Sequence, residues 1–394
     1  MDIRRRLLIQ AGAAVGAGSA WPVVMAQGAT QGVTDTEILI GSHQDLSGPV
    51  ASLGSPLRDG MQLAVDDINA AGGLHGRRLR LLVEDSAFDP KRAVLATEKL
   101  VRQDKIFALI ASLGSATVQA SMPVALEANV PVLFSGTPAD FNYTPFHRIK
   151  FAGSIPYGEQ VRALVKYAID KLGKKRIGVL YQDDETGQNV LRATEEQLKV
   201  QNMPLVERAS FKRGAVEFSS QIAKLRAADA DMVILGTIIR ETAGARMEAR
   251  KLGWNVDMMV TNAGMNDAVI KIGGAAMEGL YATAQFVSIE AQPATPEFSA
   301  LLKRYKDKYG RDALDGALYG YWAILLFAEG VRNAGRALTV DTLVSGLEKV
   351  KNFKPPYLSV PAGFGPGERL AARHGILTQV KDGRFMPISG PISY

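Results

Sequence analysis

The sequence predicts an α/β protein built as two similar lobes, each around a mainly parallel sheet. Three observations lead there. Short apolar strands alternate with helix-length amphipathic segments from Glu37 to Ala284, the pattern of parallel strands joined by packed helices. The alternation falls into two series of similar size that meet near Phe151, and 394 residues suffice for two domains. The tail then abandons it, since Pro296–Tyr309, Ala317–Ala334 and Thr339–Lys349 read as three successive helices.

The first series opens with the strand Glu37–Gly41 and the turn Asp45-Leu46-Ser47-Gly48-Pro49. Leu57, Met61, Ala64, Val65 and Ile68 have helical spacing, so a helix is expected over Leu57–Ala71, stopped by Gly72-Gly73. Arg78–Glu84 is the second strand, and Pro90–Val101 the second helix, with Pro90 suited to its first turn. Leu109-Ile110-Ala111 runs into Ser112-Leu113-Gly114-Ser115, and a helix follows to Ala128. Val130–Phe134 repeats this pattern and ends in Ser135-Gly136-Thr137. Strand ends of this kind place unpaired N–H groups and hydroxyls at the positive end of a helix, where a carboxylate is favoured. They also stand where open α/β sheets bind small molecules.

The second series reads helix Gly158–Leu172, strand Arg176–Tyr181, helix Gly187–Val200 and strand Leu205–Ser210. It continues with helix Val216–Ala228, strand Met232–Leu235, helix Glu241–Leu252 and strand Met258–Thr261. Val269–Gly274 leads into the strand Gly279–Ala284. Beyond the three tail helices, Gly375–Val380 and Arg384–Pro387, joined by Lys381-Asp382-Gly383, predict a closing hairpin.

Arg4-Arg5-Arg6-Leu7-Leu8, the apolar Ala/Gly-rich run Ile9–Ala20 and Val24-Met25-Ala26 form a charged region, an apolar region and a cleavage site. We expect a signal peptide over 1–26 and export to the periplasm, by the ordinary or the twin-arginine route. Two of the six net positive charges sit in that segment, which leaves about +4. No Lys/Arg run is long enough to read as a nucleic-acid stripe. The absence of cysteine excludes disulfides, thiol catalysis and cysteine-ligated metals.

His43, His75, His147 and His374 are not spaced to share a metal ion, so neither a metal nor a cofactor is expected. A phosphate loop ending in Gly-Lys-Ser/Thr, a Gly-x-Gly-x-x-Gly after a strand and a Gly-x-Ser-x-Gly elbow are all missing. Asp183-Asp184-Glu185 reads either as a cation or ammonium site or as a solvated loop capping the next helix. Strand ends suited to a small ligand, without a catalytic set, favour capture over chemistry.

The order of motifs resembles the type I periplasmic binding proteins of branched-chain amino-acid ABC transporters. The resemblance lies in Asp45-Leu46-Ser47-Gly48-Pro49 with Gly54, in the run from Ala64 through Asn69 and Gly72-Gly73 to Arg77, and in Glu84-Asp85 with Asp89-Pro90. It extends to the turns Gly114-Ser115-Ala116-Thr117 and Ser135-Gly136-Thr137. It implies two Rossmann-like lobes joined by three crossovers near Phe151, Ala284 and Leu358. The first lobe is then 34–151 with 285–357, and the second 152–284 with 358–394. It also implies a monomer that closes on a small-molecule ligand and docks on a membrane permease.

By that resemblance Ser115 or Gly114, with Thr137 and the backbone at Ser135 or Gly136, would hold a ligand carboxylate. Leu53 and Thr186 fall at side-chain contact positions, Thr186 being smaller than the aromatic residue common there. Amino-acid binders of the family place an acidic residue after the strand Met258–Thr261, whereas this chain has Asn262 and Ala263. Either Asp183, Asp184 or Glu241 replaces it, or the ligand has no α-amino group. The turn through Thr237 to Arg240 adds a cation that reads either as an anion contact or as a helix-start surface residue. The ligand alternatives are an apolar amino acid, an aromatic or aliphatic carboxylate, or an amide. The competing functions are a periplasmic sensor signalling to a membrane receptor and an exported α/β enzyme.

Overall fold

The computed structural model describes residues 30–355, 361–390 and 392–393; the segment 1–26 and the crossover expected at Leu358 lie outside the described residues. The chain runs through β1 (Glu37–Gln44), α1 (Ala51–Ala70), β2 (Arg78–Asp85), α2 (Pro90–Glu98) and β3 (Ala108–Ile110). It continues with α3 (Ser115–Glu127), β4 (Val132–Leu133) and β5 (Lys150–Phe151). These strands form one sheet in the order β2-β1-β3-β4-β5, every pair parallel.

The chain then passes to a second sheet through α4 (Tyr157–Asp170), β6 (Ile177–Gln182), α5 (Glu185–Val200), β7 (Glu207–Phe211) and α6 (Ser219–Ala227). β8 (Met232–Gly236), α7 (Arg240–Lys251), β9 (Asp257–Val260), α8 (Asp267–Gly273) and β10 (Tyr281–Ala284) follow. It returns to the first sheet for α9 (Pro296–Tyr309), α10 (Asp315–Ala334) and α11 (Val340–Glu348). It crosses a third time to β11 (His374–Lys381), β12 (Arg384–Pro387) and β13 (Ile392–Ser393). The second sheet has the order β12-β11-β10-β9-β8-β6-β7, with β13 on β11. It is parallel from β7 to β10 and antiparallel from β10 onward, where the hairpin closes it.

The late helices belong to the first sheet because their apolar faces are buried there. Phe327 meets Phe107 at 6.5 Å, and Trp322 meets Phe134 at 6.0 Å. α10 also lies directly on α1. A Cβ on Gly60 would stand 1.9 Å from the Ala317 carbonyl oxygen, and one on Gly320 2.1 Å from that of Leu57, so only glycine permits this approach. Phe364 and Arg369, beyond the third crossover as expected from the sequence, still pack on Phe151 of β5.

α1 begins six residues before the expected Leu57. The Asp45 carboxylate accepts the N–H groups of Gly48 at 2.5 Å and Val50 at 2.7 Å, fixing the turn that launches the helix. Gly54 lies against this turn, where a Cβ would be 2.0 Å from the Asp45 carbonyl oxygen. The expected helix Pro90–Val101 is α-helical only to Glu98, and a wider π turn follows over Lys99–Gln103. Side-chain caps start five of the others: Asp89 for α2, Asp184 for α5, Asn266 for α8, Thr295 for α9 and Thr339 for α11.

Candidate functional site

The carboxyl ends of the parallel strands of the two sheets line one cavity of about 160 Å³. From the first sheet come Leu53 and Leu57 of α1, Phe88 after β2, Gly114 and Ser115 after β3, and Gly136 and Thr137 after β4. Thr186 after β6, Ile238 after β8 and Asn262, Ala263, Met265 and Asn266 after β9 come from the second. The segments passing between the sheets add Ser154, Tyr157, Gln285 and Phe286, and α10 adds Asp315 and Tyr319. Strands of one direction end together, so their loops meet at one place.

Hydroxyls from both sides converge in this cavity. Ser115 Oγ and Thr137 Oγ1 are 2.6 Å apart, and Thr186 Oγ1 donates to Ser115 Oγ at 2.9 Å. Tyr157 lines the cavity beside them, and burial pushes its phenol pKa up to about 12, so it stays neutral. Beside them α3 begins. No acceptor among the described residues takes the N–H of Ser115, Ala116 or Thr117, which leaves these donors for an anion. Gly114, at φ +96°, caps the helix where a Cβ would be 2.4 Å from Phe88 Cε2. Glycine here lets the Phe88 ring close over the helix end.

Of the residues expected from the sequence, Leu53, Gly114, Ser115, Gly136, Thr137, Thr186, Asn262 and Ala263 line the cavity. Three stand elsewhere. The Ser135 carbonyl accepts the Tyr319 hydroxyl at 3.0 Å. Thr237 is fully buried, 2.6 Å from Thr242 Oγ1. Arg240 is exposed at the start of α7, outside the lining. Tyr157, Tyr319, Phe286 and Asp315 were not foreseen, because on helices and at strand exits they share the pattern of core or capping residues.

The three carboxylates considered for an ammonium are committed elsewhere. Asp183 pairs with Lys212, which holds its carboxyl below the usual range. Asp184 accepts Thr186 N–H at 3.0 Å and pairs with Arg213 at 2.8 Å. Glu241 lies outside the lining, its carboxyl pushed upward by burial. Asp315 lines the cavity, and its Oδ1 accepts the Ile289 N–H at 3.0 Å.

The same loops bridge the two halves. Arg213, after β7, donates to the Phe88 carbonyl at 2.9 Å and stacks 4.8 Å from the Phe88 ring. Arg192 on α5 pairs with Asp140 at 3.0 Å.

Two α/β lobes linked by three crossings, with a cavity lined by both, define a solute-binding protein of the lobed type. A family model described as periplasmic binding protein matches residues 37–384. The chain belongs to that family and is a solute-binding receptor. It is 26% identical over 343 residues to the Leu/Ile/Val-binding protein homolog 8 of Brucella abortus (strain 2308), covering 84% of this chain and 83% of the relative. Among solved structures, a branched-chain amino acid ABC transporter protein from Thermus thermophilus with bound valine superposes with a TM-score of 0.82. It shares 18% identity and covers 91% of this chain and 96% of its own. A fatty acid ABC transporter substrate-binding protein from Thermomonospora curvata gives 0.82 at 21% identity, covering 93% and 94%. At these identities the structural likeness speaks for the fold.

Proposed function

We propose that this receptor captures a small apolar solute by its carboxylate, closes its lobes over it and delivers it unchanged to the membrane permease of an ABC importer. The observation that carries this reading is the meeting of Ser115, Thr137, Tyr157 and Thr186 hydroxyls at the start of α3. A carboxylate there would accept neutral donors and the helix N-terminus, which hold an anion without a cation. The apolar body would lie among Leu53, Leu57, Phe88, Ile238 and Phe286. Names of relatives point to branched-chain amino acids, and one structural neighbour to fatty acids, so the ligand follows from this chain's own lining. Export through a cleaved leader and a monomeric state complete the reading.

Calorimetry with the purified chain tests it. Thr137→Ala removes one hydroxyl of the anion site and should weaken carboxylate binding by about 1–3 kcal/mol. Unchanged affinity takes the hydroxyl cluster out of the binding site.

A further inference from the structure

The group next to the carboxylate meets the turn after β9, and that turn is neutral. Asn262 and Ala263 line the cavity there. Gln160, 2% exposed, lies one helical turn after Tyr157 on α4, which sets this turn beside the hydroxyl cluster. Its Oε1 accepts the Asn262 N–H at 2.9 Å and the Thr283 hydroxyl at 2.6 Å, while its Nε2 donates to the Ile155 carbonyl at 2.7 Å. A buried amide with its hydrogen bonds filled by the protein thus pins the turn. Asn262 Oδ1 is buried with no partner among the described residues. An acceptor so placed calls for a donor, and an amide side chain offers only neutral partners.

On the carboxylate anchoring argued above, we propose that the solute is an apolar carboxylic acid without an α-ammonium group. Hydrogen or a hydroxyl on its second carbon would then face Asn262. An ammonium at that carbon would leave water for the amide of Asn262 and the methyl of Ala263, with no counter-charge on that turn. A hydroxyl supplies the missing donor to Oδ1 without a charge to desolvate. Asp183 and Asp184 are tied to Lys212 and Arg213, and Glu241 is not on the lining. Asp315, on α10, is engaged by Ile289 N–H.

Two matched sets decide it by calorimetry on the full chain. One is 4-methylpentanoate, 2-hydroxy-4-methylpentanoate and leucine; the other is 3-phenylpropanoate, 3-phenyllactate and phenylalanine. We expect the acid or hydroxy acid of at least one set to bind at least ~10-fold tighter than its amino acid, the cost of an unpaired buried ammonium exceeding one decade. Asn262→Asp should shift that ratio toward the amino acid by ~10-fold or more. Should this variant fail to fold, Ala263→Asp puts a carboxylate at the adjoining lining position and carries the same expectation. An amino acid binding as tightly as its acid overturns the proposal and leaves the carboxylate anchor standing; loss of that binding in Asp315→Asn would locate the ammonium at Asp315. No binding by any of the six overturns the carboxylate anchor itself.

Discussion

Replacing Arg213 by alanine should loosen closure without touching the cavity floor. The guanidinium reaches from the second sheet to the first, donating to the Phe88 carbonyl at 2.9 Å with the Phe88 ring 4.8 Å below it. A hydrogen bond from a charged donor contributes about 1.5–3 kcal/mol, and a partly exposed cation–π contact about 0.5–1. The Asp184 pair at 2.8 Å stays within the second lobe, so it does not count toward closure. Taking the low end because Arg213 is one-third exposed, the closed state loses about 2 kcal/mol. Where the open form prevails without ligand, that is a ~30-fold weaker affinity, felt mainly as faster release. Calorimetry gives the affinity and stopped-flow release gives the rate, while scattering should show an unchanged ligand-free radius. Arg213→Lys keeps the charge but loses the planar stack, and should fall between. An alanine variant that binds within about twofold of the parent refutes the reasoning.

Three further outcomes follow from buried groups and strained backbone. His43 is fully buried, with Nε2 3.0 Å from Ser121 Oγ, and burial lowers its pKa to about 3. Between pH 6.5 and about 3 the unfolded chain binds a proton that the folded chain refuses, so stability falls with acid by up to ~1.4 kcal/mol per pH unit. Denaturation midpoints measured from pH 7 to 4 should show His43→Gln losing stability less steeply, and parallel curves would contradict the assignment. Gly114→Ala puts a side chain into left-handed backbone 2.4 Å from Phe88 Cε2 and should destabilise by about 2 kcal/mol; an unshifted urea midpoint would argue that Phe88 moves freely. Asp59, 1% exposed, receives Arg58 at 2.6 Å, the Tyr305 hydroxyl at 3.3 Å and Arg311. Both arginines are substantially exposed, so screening limits the loss in Asp59→Ala to about 2 kcal/mol; thermal unfolding with no change would reduce this network to surface decoration.

Sequence periodicity disclosed what repeats and hid what is specific to one contact. Most strands with their following helices were legible, since burial on a parallel sheet imposes apolar strands and 3.6-residue stripes; β5, only Lys150–Phe151, was too short to show a pattern. The first turns of α1 were not. The apolar spacing begins only at Leu57, whereas Gly54 is fixed by its close approach to the Asp45 carbonyl, and Pro56, inside the helix, offers no N–H. Ser115, Thr137 and Thr186 could be found because small hydroxyl residues stood at strand ends. Tyr157 and Tyr319 could not, because an aromatic residue on a helix usually fills the core. Arg240 shows the opposite limit: position in the chain brings it to the right loop, and as first residue of α7 it is exposed and outside the cavity lining. Direction of a side chain is a tertiary property, and only the neighbours of that loop fix it.

On the carboxylate anchor proposed above, a division of labour would let a cleft with no lysine or arginine among its described lining residues hold a charge and report it to both lobes. The N–H groups at the start of α3 are fixed by backbone geometry and belong to the first lobe alone. They supply a preoriented positive end, but they cannot by themselves favour closure. The Thr186 hydroxyl comes from the other side, rotates, and reaches Ser115 Oγ at 2.9 Å, with Tyr157 lining the cavity beside it. A carboxylate held by the fixed donors therefore gains further bonds only when the second lobe arrives. That difference in contacts between open and closed forms is the free energy that drives closure. A lysine or arginine on the first lobe would hold the same anion equally well in both forms. It would raise affinity while weakening the coupling between capture and closure that a receptor of this kind requires.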